Sequence, residues 1–451
     1  MQNGGEKSEK LETTADSDTE AQVSQKLRET EEVEEPNGIT ANQALMNMCR
    51  ATIGTGVLSL PLAFKQAGLW CGFLLIVIAG YFTYLSCHKL VESSQALSKR
   101  HKLKKLDYGE VAEVSFRQSF PQIRFLGNFF RLFTNFSILL MQMGICSVFT
   151  VFLKEHLEEI WTRISSSPAP SSWAFFGVVV VGLCFIVMVR HIKTLSYVSL
   201  AGNVVMSIVL LLVVQDLVGP PYINGPLPKF ESLGGIILAA GNIMYAFESQ
   251  AVILPLENKM RRPGEMFGLR GVLSLGCSAT TIIYQLIGLF GFLKYGSAVR
   301  GAITLNLPDT EFYFFVRVLL VIVVYFTYLI NQFIIVDMSW PGITAHFEKF
   351  ALFNRLHLLF EAGYKVLLVL IAFLLAACVP NLGQITSLVG ATAGNLLALL
   401  IPPCIHTATF LPEWLEKRDF KAIALHMSSN CLFVACGLFF MITGVIGNLS
   451  E

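Results

Sequence analysis

One carboxylate, two short runs of glycine, threonine and serine, and two prolines interrupt stretches otherwise apolar enough to lie in a membrane. The first interruption reads Thr52-Ile53-Gly54-Thr55-Gly56-Val57-Leu58-Ser59-Leu60-Pro61. Two glycines, two threonines and a proline so close together weaken a helix. Each backbone group freed in hydrocarbon costs several kcal/mol unless something satisfies it. Taken alone, the segment is either a tight helix–helix contact made by small residues or a break lining a cavity. The second interruption is Tyr245-Ala246-Phe247-Glu248-Ser249-Gln250, followed by Leu254-Pro255-Leu256, which repeats the Leu60-Pro61-Leu62 of the first. Seven residues before each proline stand Gly54 and Glu248. The second lies five spans further along the chain, so it enters the membrane with the opposite orientation. Corresponding breaks in two halves of opposite topology are the mark of a carrier built from inverted repeats.

Helix dipoles give such breaks their chemistry. An unwound segment at mid-membrane ends one half-helix and starts another, leaving free N–H groups and a partial positive charge at the gap. A carboxylate is held there without a buried arginine, while backbone carbonyls and small hydroxyls take an amino group. The candidate substrate contacts are therefore Thr52, Ile53, Gly54, Thr55 and Gly56, the last four receiving the carboxylate. Tyr245, Ala246, Phe247 and Ser249 form the facing wall. An ionised acid at the bilayer centre costs about 2.5–3.5 kcal/mol on insertion scales, which makes Glu248 the most informative single residue. It either stays protonated in a structural hydrogen bond or couples a cation or proton to the cycle. The remaining polar residues of the spans, Asn135, Asn203, Asn242, Asn331, Gln332 and Asn395, read as glue between helices. Asp337 and Lys365 read as solvated span ends, Arg131 as a snorkelling side chain, and His88 and His406 as interfacial residues.

The elements that must position these groups are membrane helices. Of 451 residues, 54% are hydrophobic and 14% charged, against about a quarter charged in soluble domains. A span needs roughly 20 apolar residues. Apolar runs fall near 43–66, 69–91, 126–153, 173–189, 195–218, 233–255, 269–293, 313–337, 358–379, 384–407 and 421–447. That is an all-α membrane protein of about eleven helices. Its repeats run over about 43–218 and 233–407, with an extra helix over about 421–447. Together, residues 39–451 make one transmembrane domain. Residues 1–38 are polar and end in Glu29, Glu31, Glu32, Glu34 and Glu35, a tail that cannot bury enough surface to fold. It reads as a disordered cytosolic segment that could dock a cytosolic partner.

Lys and Arg set the orientation. With a cytosolic N-terminus, the inner loops hold dense basic clusters, among them Lys99 to Lys105, Arg190, Lys259, Arg261, Arg262, Lys349, Arg355 and Lys417 to Lys421. The outer loops hold only Lys154, Arg163, Lys229, Lys294 and Arg300. The C-terminus then lies outside or in a lumen. A formal charge of +1 leaves no nucleic-acid footprint. Ten cysteines, none in a C-x-x-C spacing, suggest neither a zinc site nor a disulfide framework. No catalytic motif, metal-ligand set or cofactor-binding pattern is visible, and no ring of like charges marks a channel. The chain reads as a non-enzyme.

The segments IGTGVLSLPLAFKQAG (53–68), RHIKTLSYVSLAGN (190–203), AFESQAVILPLENKMRRP (246–263), LKYGSAVRGAITLNLP (293–308) and SLVGATAGNLLALLIPPCIH (387–406) resemble the amino acid/auxin permease family. The likeness is strongest to its proton-assisted amino-acid transporter branch and runs from about Ala41 to the end. What the resemblance implies is a LeuT-like core of five plus five inverted spans and an eleventh outside them. It implies movement of small neutral amino acids with protons, at the plasma membrane or the lysosomal membrane. Three departures from the family pattern stand out. Asn47 occupies the place of a histidine tied to proton coupling, so Glu248 or another group would supply the proton. Ser249 replaces the glycine of AFEG. The extracellular cysteine pair of some members has no counterpart in 154–172 or 294–312. Sodium coupling, exchange, or a sensor signalling through the fold are the alternatives to proton-coupled transport.

Overall fold

The computed structural model describes residues 38–101, 105–165, 170–189, 192–220, 222, 227–347, 356–379 and 381–450, without the side chains of 192–199 and 422. The acidic tail, apart from Gly38, lies outside the described residues. So do Lys102, Lys104, Arg190, Lys349 and Arg355 of the basic loops.

The first helix, α1 (Ala41–Thr52), opens on a capping box in which the Thr40 side chain accepts from the Gln43 amide and Gln43 returns the bond. It stops at the glycine–threonine run. A 3-10 turn (Thr55–Ser59) follows and passes directly into α2 (Leu60–Ala67), whose Pro61 sits where a helix tolerates it, in the first turn. Gly68, at φ +89°, turns the chain into α3 (Leu69–His101). The short α4 (Tyr108–Arg117) is capped reciprocally by Asp107 and Glu110. Then come α5 (Leu126–Ile164), α6 (Ser172–Ile186) and α7 (Ile192–Val218).

The second half repeats the pattern. Helix α8 (Leu233–Ala246), capped by Ser232, ends three residues before α9 (Gln250–Glu257), which contains Pro255. Helices α10 (Val272–Tyr295), α11 (Glu311–Phe347) and α12 (His357–Cys378) follow. The next segment starts as α13 (Leu382–Val389), widens into two π turns (Gly390–Gly394 and Leu396–Leu400) and ends as α14 (Ile401–Glu416). Helix α15 (Phe420–Ser450) closes the chain.

Among the described residues, nine helices are long and apolar enough to cross a membrane. The expected first span is present as the broken pair α1 and α2, and the fourth as the 15-residue α6. Large apolar side chains such as Phe185, Leu132 and Leu211 stay mostly exposed along the bundle, as lipid-facing residues do. The all-helical class and the two broken spans expected from sequence are the observed architecture.

Two glycines let α8 touch the widened segment. A Cβ on Gly390 would lie 1.9 Å from the Gly241 carbonyl oxygen, and one on Gly241 would lie 2.4 Å from that of Ser387. No larger residue fits either place. Beside this contact, Asn242 accepts from Thr386 and donates to Gln66 at 2.9 Å. It therefore pins α8 to α2 and α13, as expected of interhelical glue.

Other polar residues depart from expectation. His406 is 1% exposed, in a cluster between α3, α14 and α15, with its Nε2 3.4 Å from Glu92 and its Nδ1 3.2 Å from Asn430. It is an internal residue, because α15 folds over the end of α14. Lys365 is buried, its charge met by Glu361 at 2.9 Å one turn earlier. Arg131 pairs with Glu113 of α4 at 2.8 Å. Asn331 and Asn395 donate within their own helices, to the Thr327 and Ala391 carbonyls. The partners of His406 and Arg131 depend on tertiary packing that spacing does not reveal, whereas those of Lys365, Asn331 and Asn395 lie one turn away in the same helix.

Candidate functional site

The breaks in spans one and six lie against each other. A Cβ on Gly56 would be 2.9 Å from the Ala246 Cα and 3.3 Å from the Tyr245 ring, so glycine at 56 is what allows the contact. All nine expected contact residues therefore belong to two strands of chain that meet. Thr52, Gly56, Tyr245, Ala246, Phe247 and Ser249 are buried, while Ile53, Gly54 and Thr55 keep partial exposure. A Cβ on Gly54 would meet nothing within 4 Å, so open space faces that residue.

The backbone of the first break is arranged as a donor site. Ile53 N–H closes the last turn of α1 on Cys49, and Gly54 N–H turns back to the Thr52 carbonyl. The Val57 amide reaches the Gly54 carbonyl only at 3.4 Å. The amides of Thr55 and Gly56, at the start of the 3-10 turn, find no partner among the described residues. They head a continuous helical segment running through α2, so the unsatisfied N–H groups and the dipole act in the same direction. The Tyr245 ring packs against this turn, where a Cβ on Gly56 would touch it.

The second break supplies the opposite sign. Helix α8 ends at Ala246, where terminal carbonyls carry partial negative charge. Tyr284 of α10 donates to the Ala246 carbonyl or to that of Thr52, each at 2.7 Å. One hydroxyl hydrogen cannot serve both fully, so this phenol straddles the C-terminal ends of the two half-helices. Its ring packs edge-on against Phe247 with centroids 4.8 Å apart. Tyr284 is 0% exposed. The sequence reading missed it. A tyrosine in an apolar span is the signal that was present, since a buried phenol usually needs a partner.

Replacing Tyr284 by phenylalanine leaves two buried carbonyls without their donor. The expected cost is about 1–2 kcal/mol, roughly tenfold in affinity if it falls on substrate binding. A lower melting midpoint and a weaker apparent affinity should appear together. A midpoint and affinity equal to the parent's would remove Tyr284 from the site.

Glu248 stands inside the second break, between the end of α8 and the start of α9. Its Oε1 accepts from the Ala251 amide at 3.3 Å, and its buried Oε2 has no partner among the described residues. It lies within electrostatic range of Cys87 of α3 and Tyr108 of α4. Tyr108 in turn donates to the Leu397 carbonyl of the second π turn at 2.8 Å, and the Cys87 sulfur lies 3.8 Å from the Ser249 hydroxyl. Gln250 beside it is fully buried, its Oε1 accepting from the Ser249 amide and its Nε2 unpartnered.

At the other end of α2, the loop between α10 and α11 is drawn onto the bundle. Lys65 donates to the Val299 carbonyl at 2.9 Å, and His156 meets Thr304 at 2.9 Å. Arg317, buried, holds the Thr304 and Leu307 carbonyls. Ile303 packs beside Pro61, next to the resumption of the helix.

No group of three or more potential metal ligands occurs among the described residues. The family described as transmembrane amino acid transporter protein matches residues 37–450. The protein named "Probable amino acid transporter skat-1" of Caenorhabditis elegans is 30% identical over 421 residues, covering 91% of this chain and 90% of that one. The "Proton-coupled amino acid transporter-like protein pathetic" of Drosophila melanogaster is 30% identical over 423 residues, covering 91% and 84%. Among solved structures, the inward-facing form of Mhp1 superposes with a TM-score of 0.56 at 12% identity, over 92% of this chain and 93% of that one. The closed form of Mhp1, a nucleobase-cation-symport-1 family transporter, with bromovinylhydantoin bound, gives 0.50 at 12% identity over 92% and 91%. At that identity the likeness is one of fold.

Proposed function

This chain belongs to the transmembrane amino acid transporter family, and we propose that it carries small neutral amino acids across a membrane by alternating access, coupled to protons. The observation that carries this reading is the meeting of two helix breaks of opposite polarity. Free amides of Thr55 and Gly56 stand on one side, and the carbonyl end of α8 with Tyr284 on the other. A zwitterionic amino acid is complementary to that pair of partial charges. Its carboxylate lies along Ile53 to Gly56, in the open space before Gly54. Its ammonium group meets the Ala246 carbonyl and the Tyr284 oxygen. Tyr245, Phe247 and Ser249 bound the side chain, which limits its size.

Repeat one (about 43–218) and repeat two (about 233–407) rock around this site in the mechanism we propose. Glu248 takes up and releases the proton beside the breaks rather than on the substrate. The N-terminus is cytosolic and the C-terminus extracellular or luminal, in a plasma or lysosomal membrane. The acidic tail is free to engage a cytosolic partner.

Uptake of labelled glycine, alanine, proline and tryptophan into proteoliposomes, with and without an inward proton gradient, tests the reading. Gradient-stimulated uptake of at least one small neutral amino acid is expected, with tryptophan poorly carried. Uptake indifferent to the gradient would move coupling to sodium or exchange. Binding without uptake would turn the protein into a sensor.

A further inference from the structure

A cavity lies between the two repeats and the last helix, α15, apart from the residues of the two breaks. It has a volume of about 610 Å³ and opens on the flank of the bundle between α4, α5, α14 and α15. Its size falls in the roughly 300–1,000 Å³ range of small-ligand sites. The lining is almost wholly apolar, with the stacked rings of Phe116 and Phe130 on one wall and Leu411, Val434 and Leu438 opposite. Water has little to gain there.

Two polar features sit at this cavity and are not used by the fold. Ser119 lines it at 4% exposure, and its hydroxyl is buried with no partner among the described residues. Buried hydroxyls are nearly always bonded, so an orphan one lining a cavity points to an absent ligand. Arg124 lies alongside, exposed, held only by a long 3.5 Å bond from its Nε to the Ser119 carbonyl. No acid pairs with it among the described residues, whereas the neighbouring Arg117 and Arg131 both pair with Glu113. An apolar slot, an orphan hydroxyl and an unpaired guanidinium in sequence match the chain, glycerol–ester and phosphate regions of a phospholipid.

We propose that this cavity is a binding site for one anionic glycerophospholipid, with an acyl chain in the slot, an ester oxygen on Ser119 and the headgroup at Arg124. The choice of an anionic lipid rests on the cytosolic orientation of the α3–α5 connection proposed above, because the cytoplasmic leaflet carries the anionic lipids. The site is coupled to the core through Asn430 of α15. That residue lines the cavity, donates to Thr407 of α14 at 2.8 Å and accepts from buried Lys89 of α3 at 2.5 Å. A lipid seated here braces α15, the helix outside the repeats, against α3 and α14.

Native mass spectrometry and thermal unfolding of the full chain test this in nanodiscs of phosphatidylcholine alone or with phosphatidylserine. Neither readout depends on transport or on orientation. The expected result is one retained phosphatidylserine and an unfolding midpoint at least about 2 °C higher with it than in phosphatidylcholine alone. Ala435→Trp, on an exposed position lining the slot, should abolish both effects while unfolding normally in phosphatidylcholine. Arg124→Gln should keep a retained lipid but lose the preference for serine headgroups. Equal stabilisation by the two lipids, stabilisation by a sterol in their place, or undiminished phosphatidylserine binding by Ala435→Trp would overturn the assignment.

Discussion

Gly54→Leu should abolish amino-acid binding and uptake, by at least about a hundredfold, while the protein still inserts and folds. That fold-change corresponds to a loss of about 2.7 kcal/mol. The structure separates this substitution from a merely disruptive one. A Cβ at Gly54 meets nothing within 4 Å, and the backbone there is extended at φ −106°, ψ −155°, which any residue adopts. Leucine therefore costs the fold little and fills the space in front of the Thr55 and Gly56 amides. Gly56→Ala provides the contrast. Its Cβ would press on the Ala246 Cα at 2.9 Å, prising the two breaks apart. That variant should lose melting temperature as well as transport. Equilibrium binding of labelled amino acid to purified protein, read beside the melting curve, distinguishes the two. Retained binding by Gly54→Leu would mean the carboxylate sits elsewhere.

Glu248→Gln should uncouple rather than inactivate. Glutamine is neutral and nearly isosteric with the protonated acid, and its amide oxygen can keep the bond from the Ala251 amide. If Glu248 carries the proton, the variant is fixed in a state resembling the protonated one. Exchange of internal for external amino acid should then persist within about threefold. Accumulation driven by an inward proton gradient should fall at least tenfold, about 1.4 kcal/mol of lost coupling. The sign follows from the carrier cycle. Lower external pH should speed parent uptake, by loading the acid from outside, and leave the variant unchanged. Full gradient-driven accumulation by Glu248→Gln would assign the residue to structure alone. Glu248 lies within electrostatic range of Cys87 of α3 and Tyr108 of α4.

If Glu248 carries the proton, the contacts around it offer a route to the widened segment. Tyr108 bonds the Leu397 carbonyl of that turn, and Gly390 at the start of the widened segment touches α8 backbone to backbone. In that reading, a charge change at Glu248 would reach the Tyr108–Leu397 contact and, through the widened segment, helix α8. Widened turns of this kind recur at functional sites because they leave the helix able to shift.

Much of this was already determined by the order of the residues. Apolar runs of membrane length make helices, because in lipid every backbone group must be satisfied within its own segment. Glycine, threonine and proline in the first span, and the repeat of Leu-Pro-Leu after Glu248, were enough to locate both breaks to within a few residues. Helix termini carry their charges wherever they occur, so the chemistry of the breaks followed too. The tertiary structure alone decided which groups complete them. Tyr284 stands some forty residues from Ala246, and nothing in its spacing says that its hydroxyl reaches two half-helices at once. His406, read as interfacial, became internal because α15 folds across it. Glu248, read from sequence as the coupling acid beside the wall, has one carboxyl oxygen on the Ala251 amide and the other buried without a partner among the described residues, an environment that spacing does not reveal. Periodicity predicts faces only while the backbone stays regular, and at the two breaks that regularity ends.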